Sequence, residues 1–398
     1  MTNLGEALAG GGDVKMLGGG QPAHIPEVEA VWQRRWQEIA EAGELGKVLG
    51  NYEPPAGGTG FRQVLAEMLQ REFGWKVGPE NIAVTAGGQT AFFFLFNALA
   101  GKMPDGSQRK VLLPLVPEYI GYTDQSVDGD MFQVFRPRIE KTGAHEFKYT
   151  IDFDALEVGE DIAAICVSRP TNPSGNLLLD DEIARLRALA ADNGIPLIID
   201  NAYGAPFPNI IFGEANPVWD EDLIVTMSLS KLGLPGTRTG IVVASPEVAS
   251  ALSEMTGVVG LANGNVGQAI VQPLLESGEL LALSNEVMRP FYQRKSQQAL
   301  EWVAELFPDG MSYYVHRSEG ALFLWFWFEG LPISSKELYE RCKKRGTLVV
   351  PGEFFFFGEE KDWAHGRECL RVTFTMEEAT VREGLRIIAE EAVIAYEA

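Results

Sequence analysis

Short, unbroken runs of Val, Ile and Leu recur through the middle of this chain, and nothing else in it restricts the fold as much. They lie at residues 82–85, 111–115, 162–167, 196–199, 223–227 and 240–244, with a spacing of roughly thirty residues that suits a βαβ repeat. Strands buried on both faces read as continuous apolar runs, so the pattern predicts a parallel or mostly parallel sheet. Between two of the runs, residues 181–193 place Ile183, Leu186 and Ala190 at helical spacing, open on aspartates and stop at Gly194. Residues 50–290 therefore read as one large α/β domain. The last hundred or so residues, 291–398, read as a small α+β domain, with strands at 321–328, 348–351 and 370–374 and helices at 335–345 and 377–396. A helix over 280–306 joins the two, and segment 1–49, with a helix near 27–42, is expected to pack on the small domain.

Composition narrows the functional classes. Of 398 residues, 46% are hydrophobic and 22% charged, as in soluble globular chains with a sizeable core. Residues Met1–Asp13 lack a basic stretch before an apolar one, so no secretory signal is read there, and the longest apolar run, 321–328, is too short to span a bilayer. Thirty-three basic residues against 55 acidic ones give a net charge of −22, which repels phosphate backbones and argues against nucleic acid. The cysteines (Cys166, Cys342, Cys369) and histidines (His24, His145, His316, His365) are scattered without metal-ligand or disulfide spacing. No metal is expected, and a cytoplasmic location is.

Four motifs at strand ends carry chemistry. Thr85-Ala86-Gly87-Gly88-Gln89-Thr90 opens a helix, where glycines and free N–H groups suit an anion, although an ordinary tight turn would use the same glycines. Arg169-Pro170-Thr171-Asn172-Pro173-Ser174-Gly175 fixes an amide between prolines. Asp200 ends an apolar strand, where it either caps a helix or meets a positive partner. Lys231 follows a strand and precedes a stiff Gly/Pro loop ending at Arg238; desolvated there, it could form a Schiff base. An anion cradle, a locked amide, a buried carboxylate and a desolvated lysine together describe a site for pyridoxal 5′-phosphate (PLP).

With these motifs on view, the chain resembles the fold-type I PLP-dependent aminotransferases of class I/II. The segments LGGGQPAHIP (17–26), NYEPPAGGTG (51–60), PEYIGY (117–122), CVSRPTNPSGN (166–176), IDNAYG (199–204) and SLSKLGLPGTRTG (228–240) carry the resemblance along nearly the whole chain. It implies that fold, PLP as cofactor and a homodimer with shared sites. It also implies that Lys231 holds the cofactor and shuttles a proton, that Asp200 keeps the pyridine nitrogen protonated, and that Tyr203 and Asn172 flank the ring oxygen. Tyr119 then stacks on the ring, while Gly88, Gln89, Ser228 and Arg238 form the phosphate cup. Arg371 clamps the substrate carboxylate beside Asn172 and Gly20, and Tyr52 reaches the neighbouring subunit's phosphate. Two departures stand out: Gly87-Gly88 replaces a hydroxyl residue common in the cup, and Lys231 to Arg238 is one residue shorter than usual.

The implied reaction moves an α-amino group between a small neutral L-amino acid (alanine or valine) and a 2-oxo acid (pyruvate or 2-oxoisovalerate) in a ping-pong sequence. Neutral side chains are favoured because no second arginine is assigned to a distal carboxylate. A β-lyase or decarboxylase on the same scaffold stays open, since fold does not fix reaction. A DNA-reading PLP sensor is disfavoured by the acidic charge, and a dinucleotide-binding regulator by the missing G-x-G-x-x-G. The run Phe92–Phe96 reads as core, whereas the four consecutive phenylalanines at 354–357 could cover an apolar substrate.

Overall fold

The computed structural model of the chain describes residues 14–359 and 363–398, so Met1–Asp13 lies outside the described residues. Its central sheet has eight strands. Their order is Ile82–Thr85, Gly240–Val243, Leu223–Ser228, Leu197–Asp200, Ile162–Ser168, Gln108–Leu113 and Gly101–Lys102, with Phe132–Val134 also paired to Gln108–Leu113. From Leu223–Ser228 to Phe132–Val134 the pairing is parallel; Gly240–Val243 and Gly101–Lys102 run antiparallel to their neighbours. Every residue of Ile82–Thr85, Ile162–Ser168, Leu197–Asp200 and Leu223–Ser228 is buried, as their unbroken apolar sequences require.

A second sheet of six strands runs Val350–Pro351, Cys369–Thr373, Phe323–Phe328, Tyr313–His316, Glu146–Thr150 and Arg138–Lys141. The hairpin 138–150 thus leaves the central sheet's stretch of sequence and joins the C-terminal strands. Lys15–Met16 pairs with Thr347–Leu348 as a separate two-stranded ribbon. The helix Pro26–Glu41, by contrast, lies against the helix Val266–Ser277. One continuous hydrophobic core runs through both sheets.

Local chemistry sets several boundaries away from the sequence expectation. The strand read at 111–115 ends at Leu113, because Pro114 has no N–H to give the ladder. The run at 321–328 becomes a strand only from Phe323, since Ala321 turns the chain at φ +59°. The apolar stretch 348–351 divides, its halves pairing with different sheets. The helix expected over 280–306 continues through a π-helical turn at Leu283–Met288, just ahead of Pro290, whose ring cannot supply the next i→i−4 bond.

Phe326 is fully buried in the second sheet and stacks on Phe307 and Phe328 at centroid distances of 5.3 and 5.7 Å. Phe326→Ala should lower unfolding free energy by about 3–5 kcal/mol in a urea titration. A loss below about 1 kcal/mol would contradict this packing.

Candidate active site

The parallel strands bring their C-terminal ends to one edge of the central sheet, and most of the candidate residues rise from it. Ser168, Asp200 and Thr226 are in register on three adjacent strands. Asp200 is 8% exposed. Its Oδ2 accepts from Tyr122 Oη at 2.7 Å, and its Oδ1 from the Ala202 N–H at 3.0 Å and Thr226 Oγ1 at 3.4 Å. Burial raises its pKa, opposed by these bonds and by the charge of Lys231.

Lys231 stands on the 3₁₀ turn Leu229–Leu232, which Ser228 caps by accepting from the Ser230 N–H and which closes on Gly233 in the left-handed region. That stiff turn aims the half-buried side chain inward, where Nζ donates to the Gly20 carbonyl and lies 5.3 Å from the Tyr203 ring. Burial, then the charges of Arg371 and Arg238, bring its pKa down to about 8, with Asp200 pulling the other way.

At the opening of helix Gly88–Leu99, Gly87 sits at φ 94°, and a Cβ built there would lie 2.0 Å from Arg238 Nη2. Only glycine lets Arg238 lie over this turn. A Cβ on Gly88 would meet nothing within 4 Å. Among the described residues, the N–H groups of Gly88 and Gln89 find no acceptor, and Gln89 Oε1 is buried without a partner. Among the described residues, Arg238 bonds only to carbonyls, those of Pro235 at 3.2 Å and Ala86 at 3.4 Å. The Ser228 hydroxyl donates to Ser230 Oγ within its own turn at 3.0 Å and to the Thr239 carbonyl, eleven residues on, at 3.4 Å.

Arg371 enters from the second sheet, in register with Trp325. Nη1 donates to Asn172 Oδ1 and Nη2 to the Gly18 carbonyl, both at 2.7 Å, while Nε is buried with no partner. Its guanidinium lies 4.2 Å from the Phe323 ring and 5.0 Å from the Phe355 ring. Burial lowers its pKa to about 10. Among the described residues no carboxylate pairs with this buried cation. Tyr203 lies beside Asn172 and Arg371, with its phenol pKa raised by burial. Tyr119 folds back so closely that a Cβ on Gly121 would sit 2.4 Å from its ring.

The fold thus gathers Gly20, Gly88, Gln89, Tyr119, Asn172, Asp200, Tyr203, Ser228, Lys231, Arg238 and Arg371 around one cleft. It does not bring Tyr52 there: that side chain is 80% exposed on the surface. Sequence reasoning missed Glu118, Tyr122 and Ser168, which lie behind Asp200. It also missed Phe323, which flanks Arg371. The four phenylalanines at 354–357 face different ways: Phe355 is fully buried against Trp325 and Arg371, Phe356 packs on Trp363 and His365, Phe357 on Phe132, and Phe354 is exposed.

Comparison with known proteins bears on this arrangement. The family described as "Aminotransferase class I and II" matches residues 17–388. The valine–pyruvate aminotransferase of Escherichia coli (strain K12) is 46% identical over 391 residues, covering 98% of this chain and 93% of that protein. The solved valine–pyruvate aminotransferase from Salmonella typhimurium LT2 superposes with a TM-score of 0.93 at 44% identity, covering 100% of this chain and 99% of that one. The aspartate aminotransferase from Thermus thermophilus with maleate shares the fold, with a TM-score of 0.78 at 22% identity over 98% of this chain and 95% of that one.

The lowered Lys231 pKa has two consequences. Between about 8 and the ordinary 10.5 the unfolded chain keeps a proton that the folded site has shed, so this lysine's contribution to stability rises with pH across that window. The Lys231-dependent rate of condensation with an aldehyde should rise with pH and level off near pH 8, read against a Lys231→Ala control. A rate still climbing toward pH 10.5 would contradict the desolvated environment.

Proposed function

The chain belongs to the class I and II aminotransferases, and from that premise we propose that it transfers the α-amino group between a small neutral L-amino acid, valine or alanine, and pyruvate or 2-oxoisovalerate. It is a transaminase whose cofactor is pyridoxal 5′-phosphate and whose substrates are an amino acid and a 2-oxo acid. The donor set suits that group: free N–H groups and an arginine without a carboxylate for the phosphate, a buried carboxyl for the ring nitrogen, and a lysine of lowered pKa for the aldehyde.

The observation that carries the reading is Arg371, a buried guanidinium with an unpartnered Nε and, among the described residues, no carboxylate bonded to it. Burying a cation alone is costly, so the site is built to be completed by an anion, and a planar fork matches an α-carboxylate. When bound, the cofactor supplies an aldehyde carbon for the amino group and a ring that withdraws electrons from the substrate's Cα. Asp200, ionised, holds a proton on the ring nitrogen, and Tyr119 covers one face of the cleft. Lys231, neutral in part at physiological pH, would take the proton from Cα and return it to the aldehyde-derived carbon on the other side of the connecting nitrogen. Phe323 and Phe355 wall Arg371 with apolar surface and bar water from it. Among the described residues, the cations gathered here are Lys231, Arg238 and Arg371, each already given a task, which leaves none of these three for a second carboxylate on the side chain.

Two further readings are supported more coarsely. Tyr52, Leu49, Val258, Val259 and Leu261 are exposed, and segment 51–55 lies against 257–265 through the contacts of Asn263 with Pro55 and of Asn265 with Asn51. This apolar surface supports a homodimer in which Tyr52 completes the partner's phosphate site. Three buried, unpaired cysteines support a reducing, cytoplasmic compartment. Among the described residues no helix is long and apolar enough to cross a membrane.

Mixing the loaded protein with single amino acids and following the cofactor's absorbance tests the specificity. Alanine and valine should discharge it and aspartate should not; the reverse order would contradict the assignment. Arg371→Lys should raise KM for the amino acid at least about tenfold, because a point charge cannot reproduce the two-bond fork. An unchanged KM would remove Arg371 from the carboxylate site.

A further inference from the structure

Behind Asp200 lies a second carboxyl that the reaction as described does not use. Glu118 is fully buried. Its Oε1 accepts from the Ser168 N–H at 2.8 Å and its Oε2 from the Tyr119 N–H at 3.0 Å, and Oε2 also shares a hydrogen bond with Ser168 Oγ at 2.6 Å. Among the described residues no lysine, arginine or histidine bonds to it. The titratable groups facing it are Asp200, the Tyr122 phenol and the Cys166 thiol, and burial pushes the last two well above their ordinary pKa values. The charge of Lys231 acts on Asp200. Burial, and then the charge of Asp200, raise the Glu118 pKa to about 7 despite its three hydrogen bonds.

Four oxygens connect the two acids. Glu118 Oε2 is 2.6 Å from Ser168 Oγ, which is 3.3 Å from Tyr122 Oη, which is 2.7 Å from Asp200 Oδ2. Phe92 and Phe96 hold the Tyr122 ring at centroid distances of 4.8 and 5.2 Å, and Tyr119 meets it edge-on at 5.4 Å. Suppose Glu118 carries a proton. It then donates to Ser168, Ser168 to Tyr122, and Tyr122 to ionised Asp200, so each hydroxyl donates once and accepts once. Suppose instead that both acids are ionised. Ser168 must then turn to Glu118 and Tyr122 to Asp200, leaving no hydrogen between the two hydroxyls and two buried anions at the ends. The first arrangement makes one more hydrogen bond and buries one less charge.

We propose that Glu118 is a positioning residue that holds the one proton shared by two buried carboxyls, so that Asp200 stays ionised toward the cofactor nitrogen. Shifting one hydrogen at each oxygen passes this proton to Asp200 and back, with no bond to any outside reactant and no exchange with solvent. The proposal rests on the transaminase reading only for the identity of the group that Asp200 faces.

Infrared difference spectra of the loaded wild type and Glu118→Gln at neutral pH give the direct test. A protonated-carboxyl C=O stretch should appear in the wild type and vanish in the variant. In Ser168→Ala, which breaks the chain and spares both acids, kcat should fall about tenfold, the change that corresponds to about one pKa unit at Asp200. KM should stay within about twofold, since this chain does not touch the substrate carboxylate. The pH at which the bound cofactor's absorbance changes should also shift in Ser168→Ala. A merely structural role would leave that titration where it is. No protonated band in the wild type, a band that survives Glu118→Gln, or a Ser168→Ala titration matching the wild type would each overturn the proposal. If Glu118→Gln does not fold, the wild-type band and Ser168→Ala decide. Absence of the infrared band from the wild type with amino transfer intact would sink only this proposal; absence of cofactor binding would sink the functional reading instead.

Discussion

A carboxyl at the tip of a wholly apolar strand, with no cation in hydrogen-bond contact among the described residues, is the constraint around which the rest of this molecule is arranged. Asp200 ends Leu197–Asp200 in the middle of the parallel sheet, and its oxygens are held by a phenol, an N–H and a hydroxyl. Neutral donors orient a carboxylate without neutralising it, so its charge remains free to act on something placed in the cleft. The sheet register, the aromatic cage around Tyr122 and the turn that aims Lys231 all serve to keep that geometry fixed and dry.

The electrostatics of the cleft run opposite to those of the whole chain. A protein of net charge −22 repels anions at long range, yet among the described residues its site brings together Lys231, Arg238 and Arg371, with Asp200 among them and Glu118 behind. Long-range repulsion is screened within about 8–10 Å at physiological salt, whereas buried groups interact at far lower dielectric. Local geometry therefore governs binding here, through the Gly87-Gly88 opening and the guanidinium fork of Arg371.

Much of this was legible in the sequence because it depends on short-range rules. The central strands announced themselves as apolar runs, and Lys231, Asp200 and Gly87-Gly88 sit where those runs end. What stayed hidden depends on contacts far apart in the chain. Nothing local to 138–150 says that the hairpin leaves the central sheet for the C-terminal strands. The π turn at 283–288 follows from Pro290, a residue that could have been read as a helix breaker. Glu118 did leave a signal, an acid inside the otherwise apolar stretch 111–122, but only the fold reveals Ser168 and Tyr122 as its links to Asp200. Tyr52 is the converse case: its motif is plain, and within one chain its side chain is exposed.

The account stands on Lys231 Nζ being the one nitrogen that ties the cofactor to the chain. Reducing the loaded protein with borohydride, digesting it and mapping the pyridoxyl group by mass spectrometry tests this directly. The label should sit on Lys231 alone, in the peptide that contains Ser228 and Leu232. Stoichiometric label on another lysine, or none at all, would contradict the central claim.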